Sequence, residues 1–439
     1  MNESARIVAG PHALLPALGG VRPMNPPSTT MTRIVHTADW HLGARLMDCE
    51  RHDEHRAFLD WLLQQLVELR PDLLIVAGDI FDVAAPSQEA LKLYYTFLSR
   101  LTGTVKCQTL ILGGNHDSPA TLHAPRDVLR ALDVRVVATP PADLAEAVLE
   151  FDQAVVCAVP YLRERDVRTA APGQSADEVA VAIRTGITDH YRAVFALAQA
   201  KAAGRLIVGT GHLTAVGSEI SPSERTIHIG NLGAVEARCF DGFAYTALGH
   251  IHRPQWIGGD QRVRYVGSPI PLSFSEVDLL KEIRVIDIEG TELNQRAIPI
   301  PVFRSLLRLT ATAATLGADL APHQGAEGDP MPPWVELTVT DCRAHPDIAR
   351  QVREAAAPLR LHVLKVLPPA MVATDQSSGP AAPSVSLSDL RPEEVFAERL
   401  RREAIDHASV EGQALIQTFA ELMSGLHDTV AVENTEAGP

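Results

Sequence analysis

The sequence predicts an α/β protein built around a sheet buried on both faces, and two observations lead there. Short apolar runs alternate with helix-period stretches from Arg33 to about Ile300, and polar residues gather straight after several of those runs. Arg33–Ala38, Asp72–Ala77, Gln108–Leu112, Ala154–Val159, Leu206–Gly209, Tyr245–Leu248 and Val263–Val266 are short and nearly all apolar, as strands covered on two sides must be. Between them, Asp53–Leu69, Ser87–Leu101 and a stretch within Asp177–Ala203 carry helical spacing. In the first of these Phe58, Leu59, Leu62, Leu63 and Leu66 fall on one face.

The rest of the chain changes character. Residues 302–367 read as strand (Val302–Leu309), irregular Gly/Pro-rich insert (317–333), strand (Val335–Val339), helix (Pro346–Ala357) and strand (Leu359–Val366). The expected organisation is therefore a first domain over 31–300, a small α+β domain over 301–370, a Ser/Pro/Ala/Gly linker over 371–386 and a helical segment over 387–428. One helix of that segment opens near Pro392, and a second carries Leu415, Ile416, Phe419, Leu422, Met423 and Leu426 on one stripe. Residues 1–30 and 429–439 read as disordered ends, with Met24 or Met31 the expected start.

Composition narrows the function classes. Over 439 residues, 39 basic against 54 acidic side chains give a net charge of −15, which argues against a chain coated in nucleic acid. Cys49, Cys107, Cys157, Cys239 and Cys342 are odd in number and form no CxxC pair, so neither a disulfide framework nor a zinc-thiolate site is expected. No apolar run is long enough to span a bilayer, and Pro11–Gly20 is too short and proline-broken for a signal peptide. The cytoplasm is the expected compartment. The chain has no Gly-Lys pair and hence no phosphate loop of the GxxxxGK[ST] type, so any ATP dependence has to come from another protein.

Five segments place potential ligands after a buried run: Asp39 and His41 in ADWHLG, Asp79 and Asp82 in AGDIFD, Asn115, His116 and Asp117 in GGNHDS, His212 in TGHLT, and His250 with His252 in LGHIH. In open α/β sheets reacting groups collect at the carboxyl ends of strands, so the five clusters can share one site. Any one alone reads as a turn, a helix cap or a strand accident. Together they supply the Asp, Asn and His donors, with a carboxylate to bridge, that two divalent ions require. The absence of cysteine from this set favours manganese, iron or zinc, and manganese is the expected choice. His36, inside the first run, is assigned to the core.

At this point the sequence resembles the calcineurin-like metallophosphoesterases, whose DxH…GDxxD…GNH[D/E]…H…GHxH signature is matched by residues 39–41, 78–82, 114–117, 212 and 250–252. Within that superfamily HTADWHLGARL, IVAGDIFD, GGNHDSPATL, GHLTAVGSE, ALGHIHRPQ, VRYVGSPIPLSFSE and LSDLRPEEVFAERL resemble the SbcD nuclease branch, related to double-strand-break repair nucleases. The resemblance implies a four-layer α/β/β/α sandwich with a small α+β capping domain and C-terminal helices. It further implies that Asp39, His41, Asp79 and His252 hold one metal, that Asp79, Asn115, His212 and His250 hold the other, and that Asp79 bridges. His116 is then the group facing the scissile phosphate, with Asp82 pairing to orient it, and Asp117 only holds its loop.

Two divalent ions set against Asp39 and Asp79 leave a local charge of about +2, so the acidic total does not exclude DNA. The implied activity is exonuclease on duplex DNA and endonuclease on single-stranded or hairpin DNA. The implied partner is an SMC-type coiled-coil ATPase of the SbcC kind, in a complex of two nuclease and two ATPase chains docked through the C-terminal helices. A phosphoprotein phosphatase or cyclic-nucleotide phosphodiesterase would use the same metal core, and a non-catalytic DNA clamp could keep the fold. The nuclease-branch motifs outside the core disfavour the former, and the full ligand set disfavours the latter.

Overall fold

The computed structural model describes residues 31–169, 174–219 and 234–369, with isolated positions between 396 and 419. The expected lead-in 1–30, linker 371–386, tail 429–439 and most of segment 387–428 lie outside the described residues. The chain divides into two compact units, Met1–Pro369 and Ala370–Pro439. In the second, the rings of Phe396 and Phe419 stack with centroids 4.2 Å apart.

Two six-stranded sheets organise the first unit. One runs, in spatial order, Glu292–Pro299, Glu282–Glu289, Thr32–Thr37, Leu73–Val76, Gln108–Leu112 and Val134–Val137. Its last four strands are parallel, and Glu282–Glu289 pairs antiparallel with Thr32–Thr37 in the register Ile34↔Ile286. The other runs Gln255–Ile257, Asp260–Tyr265, Tyr245–Gly249, Leu206–His212, Ala154–Cys157 and Val148–Glu150, parallel at its four central strands with an antiparallel strand at each edge.

Strand alternation explains how nearly continuous apolar runs make four layers. Ile34, Leu73, Ile75, Leu110 and Leu112 turn inward to meet Ala154, Val156, Val208 and Ala247 of the second sheet. Their neighbours Val35, Leu74, Val76 and Ile111 face the other way, onto helices His52–Leu69 and Gln88–Thr104. Val155 and Cys157 likewise turn outward to Tyr191, Val194 and Ala198 of helix Ala176–Ala202. The result is the α/β/β/α sandwich. Because every inner strand is covered on both faces, these runs have no polar alternation to show.

Several elements differ from the sequence expectation. The hairpin Glu282–Glu289/Glu292–Pro299 extends the first sheet, although nothing in the apolar-run pattern marks it. Its outer strand is an edge whose side chains are mostly exposed. The small domain is a three-stranded parallel sheet of Leu306–Ala311, Trp334–Val339 and His362–Leu367, with helix Ile348–Ala356 between the last two strands. Its first strand starts only at Leu306, after the exposed Val302, and a short helix, Leu316–Leu320, begins just ahead of the stretch expected to be irregular and runs into it. Leu316 and Leu320 are both buried in the local core with Val335, Leu337 and Val352. No helix among the described residues is long and apolar enough to cross a membrane.

Candidate metal centre

The parallel strands of both sheets deliver the site. Asp39 and His41 follow Thr32–Thr37, Asp79 and Asp82 follow Leu73–Val76, and Asn115 and His116 follow Gln108–Leu112. His212 ends its own strand, and His250 and His252 come directly after Tyr245–Gly249. Main-chain strain accompanies this convergence. Asp39, His41, Asp79 and His250 all have positive φ, at 52°, 46°, 48° and 100°. Non-glycine residues hold such angles at a cost of about 1–3 kcal/mol each, and the surrounding structure has to over-determine them. Hydrogen bonds do this. The N–H of Asp39 donates to Gly78 O at 3.0 Å, that of His41 to Asp79 O at 3.0 Å, and that of His250 to Asp39 Oδ1 at 2.8 Å. Gly78 is needed twice over: its φ is 89°, and a Cβ there would lie 2.2 Å from His212 Nδ1.

Of the ten residues singled out from the sequence, all but the loop-holding Asp117 meet here. Asp79 is central. Its Oδ2 lies 3.2 Å from His212 Nε2 and 3.6 Å from His41 Nε2, while its Oδ1 accepts the His116 N–H at 3.0 Å. Asn115 Oδ1 lies 3.0 Å from His212 Nε2 and 2.8 Å from His250 Nδ1. The ring of His41 stands 4.9 Å from that of His116 and 4.9 Å from that of His252. Two triads of donor atoms, Asp39–His41–Asp79 and Asp79–His212–His250, each lie within 4.8 Å and share Asp79.

The donor set fits divalent metal ions. Asp39 Oδ2 and His41 Nε2 are buried without a hydrogen-bond partner, and both belong to one triad. Such atoms are costly unless something electropositive meets them. His41 Nδ1 contacts Asp82 Oδ1 at 3.1 Å and His212 Nδ1 contacts Ala77 O at 2.8 Å, so each ring turns its Nε2 toward the shared carboxylate. That is how metal-binding imidazoles are oriented. The charges agree. Burial pushes Asp39 up to about 6 despite the nearby histidines. Burial would also raise Asp79, but His212, His41 and His116 together hold it well below the ordinary carboxylate range. His212 goes up to about 9, because Asp79 and Asp39 outweigh its burial.

One expectation needs correction. The Asp82 carboxylate pairs with His41; it is the main-chain carbonyl of Asp82 that contacts His116 Nδ1, at 2.6 Å. The turn after Asp79 brings the main-chain carbonyl of Asp82 into contact with His116, while the Asp82 carboxylate, within 4.8 Å of ring nitrogens of both His41 and His116, makes its hydrogen bond to His41. Asp117 holds its loop, accepting from the N–H groups of Ile80, Phe81 and Gly114. His36 lies in the core, 3.0 Å from the Tyr245 hydroxyl.

Sequence reasoning passed over Tyr161 and Arg163. The Tyr161 ring lies 6.2 Å from that of His212. Arg163 donates to Asp117 O at 3.3 Å and leaves Nη1 buried without a hydrogen-bond partner. Both follow the run Ala154–Val159, as the other clusters follow theirs, but neither is an ordinary metal ligand and no glycine flags them.

Comparison with known proteins places this geometry in a class. Residues 32–171 match the calcineurin-like phosphoesterase family, and residues 302–404 match a family described as the type 5 capsule protein repressor C-terminal domain. The chain is 37% identical over 410 residues to the SbcD component of the SbcCD nuclease of Escherichia coli K12, covering 90% of this chain and all of that protein. It is 35% identical over 398 residues to the corresponding SbcCD nuclease component of Rhodobacter capsulatus, covering 83% and 93%. A dimetal phosphatase from Danio rerio superposes with a TM-score of 0.34 at 11% identity, covering 62% of this chain and 99% of that one, a likeness too slight to bear weight. The chain belongs to the SbcD family of nuclease subunits, within the calcineurin-like phosphoesterases, and is a hydrolase of that class.

Proposed function

We propose that this protein is a metal-dependent DNA nuclease, the nuclease subunit of an SbcCD-like complex, with exonuclease activity on duplex DNA and endonuclease activity on single-stranded or hairpin DNA. The observation that carries the reading is the extent of the likeness. It spans the whole length of the Escherichia coli SbcD protein, well beyond the phosphoesterase core that phosphatases and cyclic-nucleotide phosphodiesterases would share.

In this reading Asp39, His41, Asp79 and His252 hold one ion and Asp79, Asn115, His212 and His250 the other, with Asp79 between them; the two donor triads that share Asp79 support the division. Two divalent ions bound there would supply a hydroxide at neutral pH and offset the charge of the phosphodiester, and manganese suits the mixed Asp, Asn and His donors. The protein's own part is orientation and proton delivery. His116, tied through Nδ1 to Asp82 O, presents Nε2 as the group that protonates the leaving oxygen, and Asp82 keeps His41 in register. The partner is an SMC-type ATPase of the SbcC kind, two of each chain per complex, bound through the segment after about 387. The division into a nuclease domain over 31–300 and a capping domain over 301–370 is supported by the separate three-stranded sheet. Five free thiols among the described residues suit a cytoplasmic protein.

The test offers the purified full chain end-labelled duplex, single-stranded and hairpin DNA, with manganese or with chelator, alongside a cyclic nucleotide and a phosphopeptide. Manganese-dependent DNA cleavage is expected. Turnover of either small substrate with DNA untouched would overturn the proposal.

A further inference from the structure

The stretch VGSPIPLSFSE, which sets the sequence apart from a bare phosphoesterase core, has no part in the ligand set just described. The structure gives its last residue a place. Glu276 is fully buried beneath the site, at 0% exposure, and Lys281 beside it is at 6%. Lys281 Nζ uses all three of its donors: to Glu276 Oε2 at 2.8 Å, to Ser268 Oγ at 2.8 Å, and to the main-chain O of His252 at 3.0 Å. Glu276 Oε2 also accepts the Leu272 N–H at 3.2 Å, which fixes the carboxylate within its loop. Its other oxygen, Oε1, faces His252 Nδ1 at 3.4 Å.

Both ends of the ion pair therefore grip the same histidine, Lys281 at the backbone and Glu276 at the ring. A buried pair that served stability alone would have no reason to converge on one imidazole, and such pairs are often no more stable than apolar replacements. At 3.4 Å the carboxylate of Glu276 is an electrostatic partner of Nδ1, longer than a formed hydrogen bond, and it favours the tautomer that carries the proton on Nδ1 and leaves the Nε2 lone pair for a metal. His41 with Asp82, at 3.1 Å, and His212 with Ala77 O, at 2.8 Å, show shorter forms of the same device within the site. We propose that Glu276, locked by Lys281, is a positioning residue that sets the tautomer and direction of His252 and so the affinity of one of the two metal positions. The inference rests on the ligand assignment given under the proposed function.

The experiment titrates manganese into the metal-stripped full chain by calorimetry, for the wild type, Glu276→Ala, Glu276→Gln and His252→Ala, with circular dichroism to check folding. Outer partners of metal-binding histidines typically contribute about 10–100-fold in affinity. Glu276→Ala is expected to weaken one of the two binding events by that range and leave the other unchanged. Glu276→Gln, which keeps an acceptor of the same shape, should recover part of the loss. Wild-type affinities at both positions in Glu276→Ala, even with a lower melting temperature, would reduce Glu276 to a structural role and overturn the proposal. If the alanine variant fails to fold, the isosteric glutamine variant decides, and unchanged binding there overturns it equally. Should the wild type bind fewer than two ions, or His252→Ala bind both normally, the ligand assignment itself is what has failed.

Discussion

Gly114→Ala probes the centre without touching a ligand. An added Cβ would lie 2.1 Å from Asp79 Oδ1, 2.3 Å from Asp79 N and 2.7 Å from Asp79 Cγ, against 3.4 Å or more for an ordinary contact. The backbone at Gly114 does not have positive φ, so the conflict is one of space alone. Either the carboxylate or the GNHD turn has to give by more than an ångström. The same Oδ1 accepts the His116 N–H at 3.0 Å, so the group between the two donor triads and the group assigned to the phosphate move together. A misplacement of about 1 Å costs on the order of 10²-fold in rate, whereas local overpacking costs about 1–3 kcal/mol of stability. Gly114→Ala is therefore expected to remain folded and to lose at least about 10²-fold of its manganese-dependent turnover. The measurement is steady-state hydrolysis of a chromogenic phosphodiester, with thermal unfolding run in parallel. Turnover within a factor of a few of wild type in a folded variant would show that Asp79 does not need its present position.

Other outcomes follow from the same geometry. His116→Ala should keep two ions and bind DNA while losing about 10²–10⁴ of kcat, and mass-spectrometric metal counting would expose the error if the site emptied instead. A chain ending near Ser386 should retain metal content and small-ester hydrolysis but no longer co-purify with an SMC-type ATPase; retention of the ATPase would move that interface into residues 31–370. His36 concerns stability with pH. Burial, with Arg264 and Arg284 adding to it, brings its pKa from 6.5 down to about 3, so it stays neutral in the fold and takes up a proton only on unfolding. Its contribution is complete above about 6.5 and is lost as pH falls toward 3. Between pH 7 and pH 5 this is about 2 kcal/mol, so urea unfolding of metal-free His36→Phe should show a pH-dependent loss smaller by that amount. An identical loss in the variant would mean that His36 is not buried neutral.

The sheets and the site are legible in the sequence for one physical reason. Strands covered on both faces are apolar end to end, so Asp39, Asp79, Asn115, His212 and His250 stand out as abrupt polar breaks where each run stops. The hairpin Glu282–Pro299 is not legible, because its strands alternate charged and apolar residues and the outer one, ELNQRAIP, is a half-exposed edge. Partner choice inside the site is the harder matter. Spacing locates Asp82 beside the centre, yet only the turn's three-dimensional path decides that its carboxylate meets His41 while its carbonyl meets His116. Glu276 closes a recognisable motif without declaring a role, since a carboxylate acting through a histidine 24 residues away leaves no periodic trace.

The antiparallel pairing of the first strand bears on how this protein is made. Thr32–Thr37 is an interior strand whose second neighbour, Glu282–Glu289, arrives late: Arg33 and Asp287, joined by a 2.6 Å ion pair, are 254 positions apart, and Asp39 waits for the His250 N–H across 211. Closing such long intervals is slow, because chain entropy is spent before any contact repays it. During synthesis the amino-terminal half thus emerges carrying Asp39, His41, Asp79 and Asn115 but none of the histidines from the second sheet. A growing chain cannot assemble its full set of donors until translation has passed residue 252, nor complete its first sheet until it has passed residue 299. The order of its own strands thus ties completion of the donor set to the second half of synthesis.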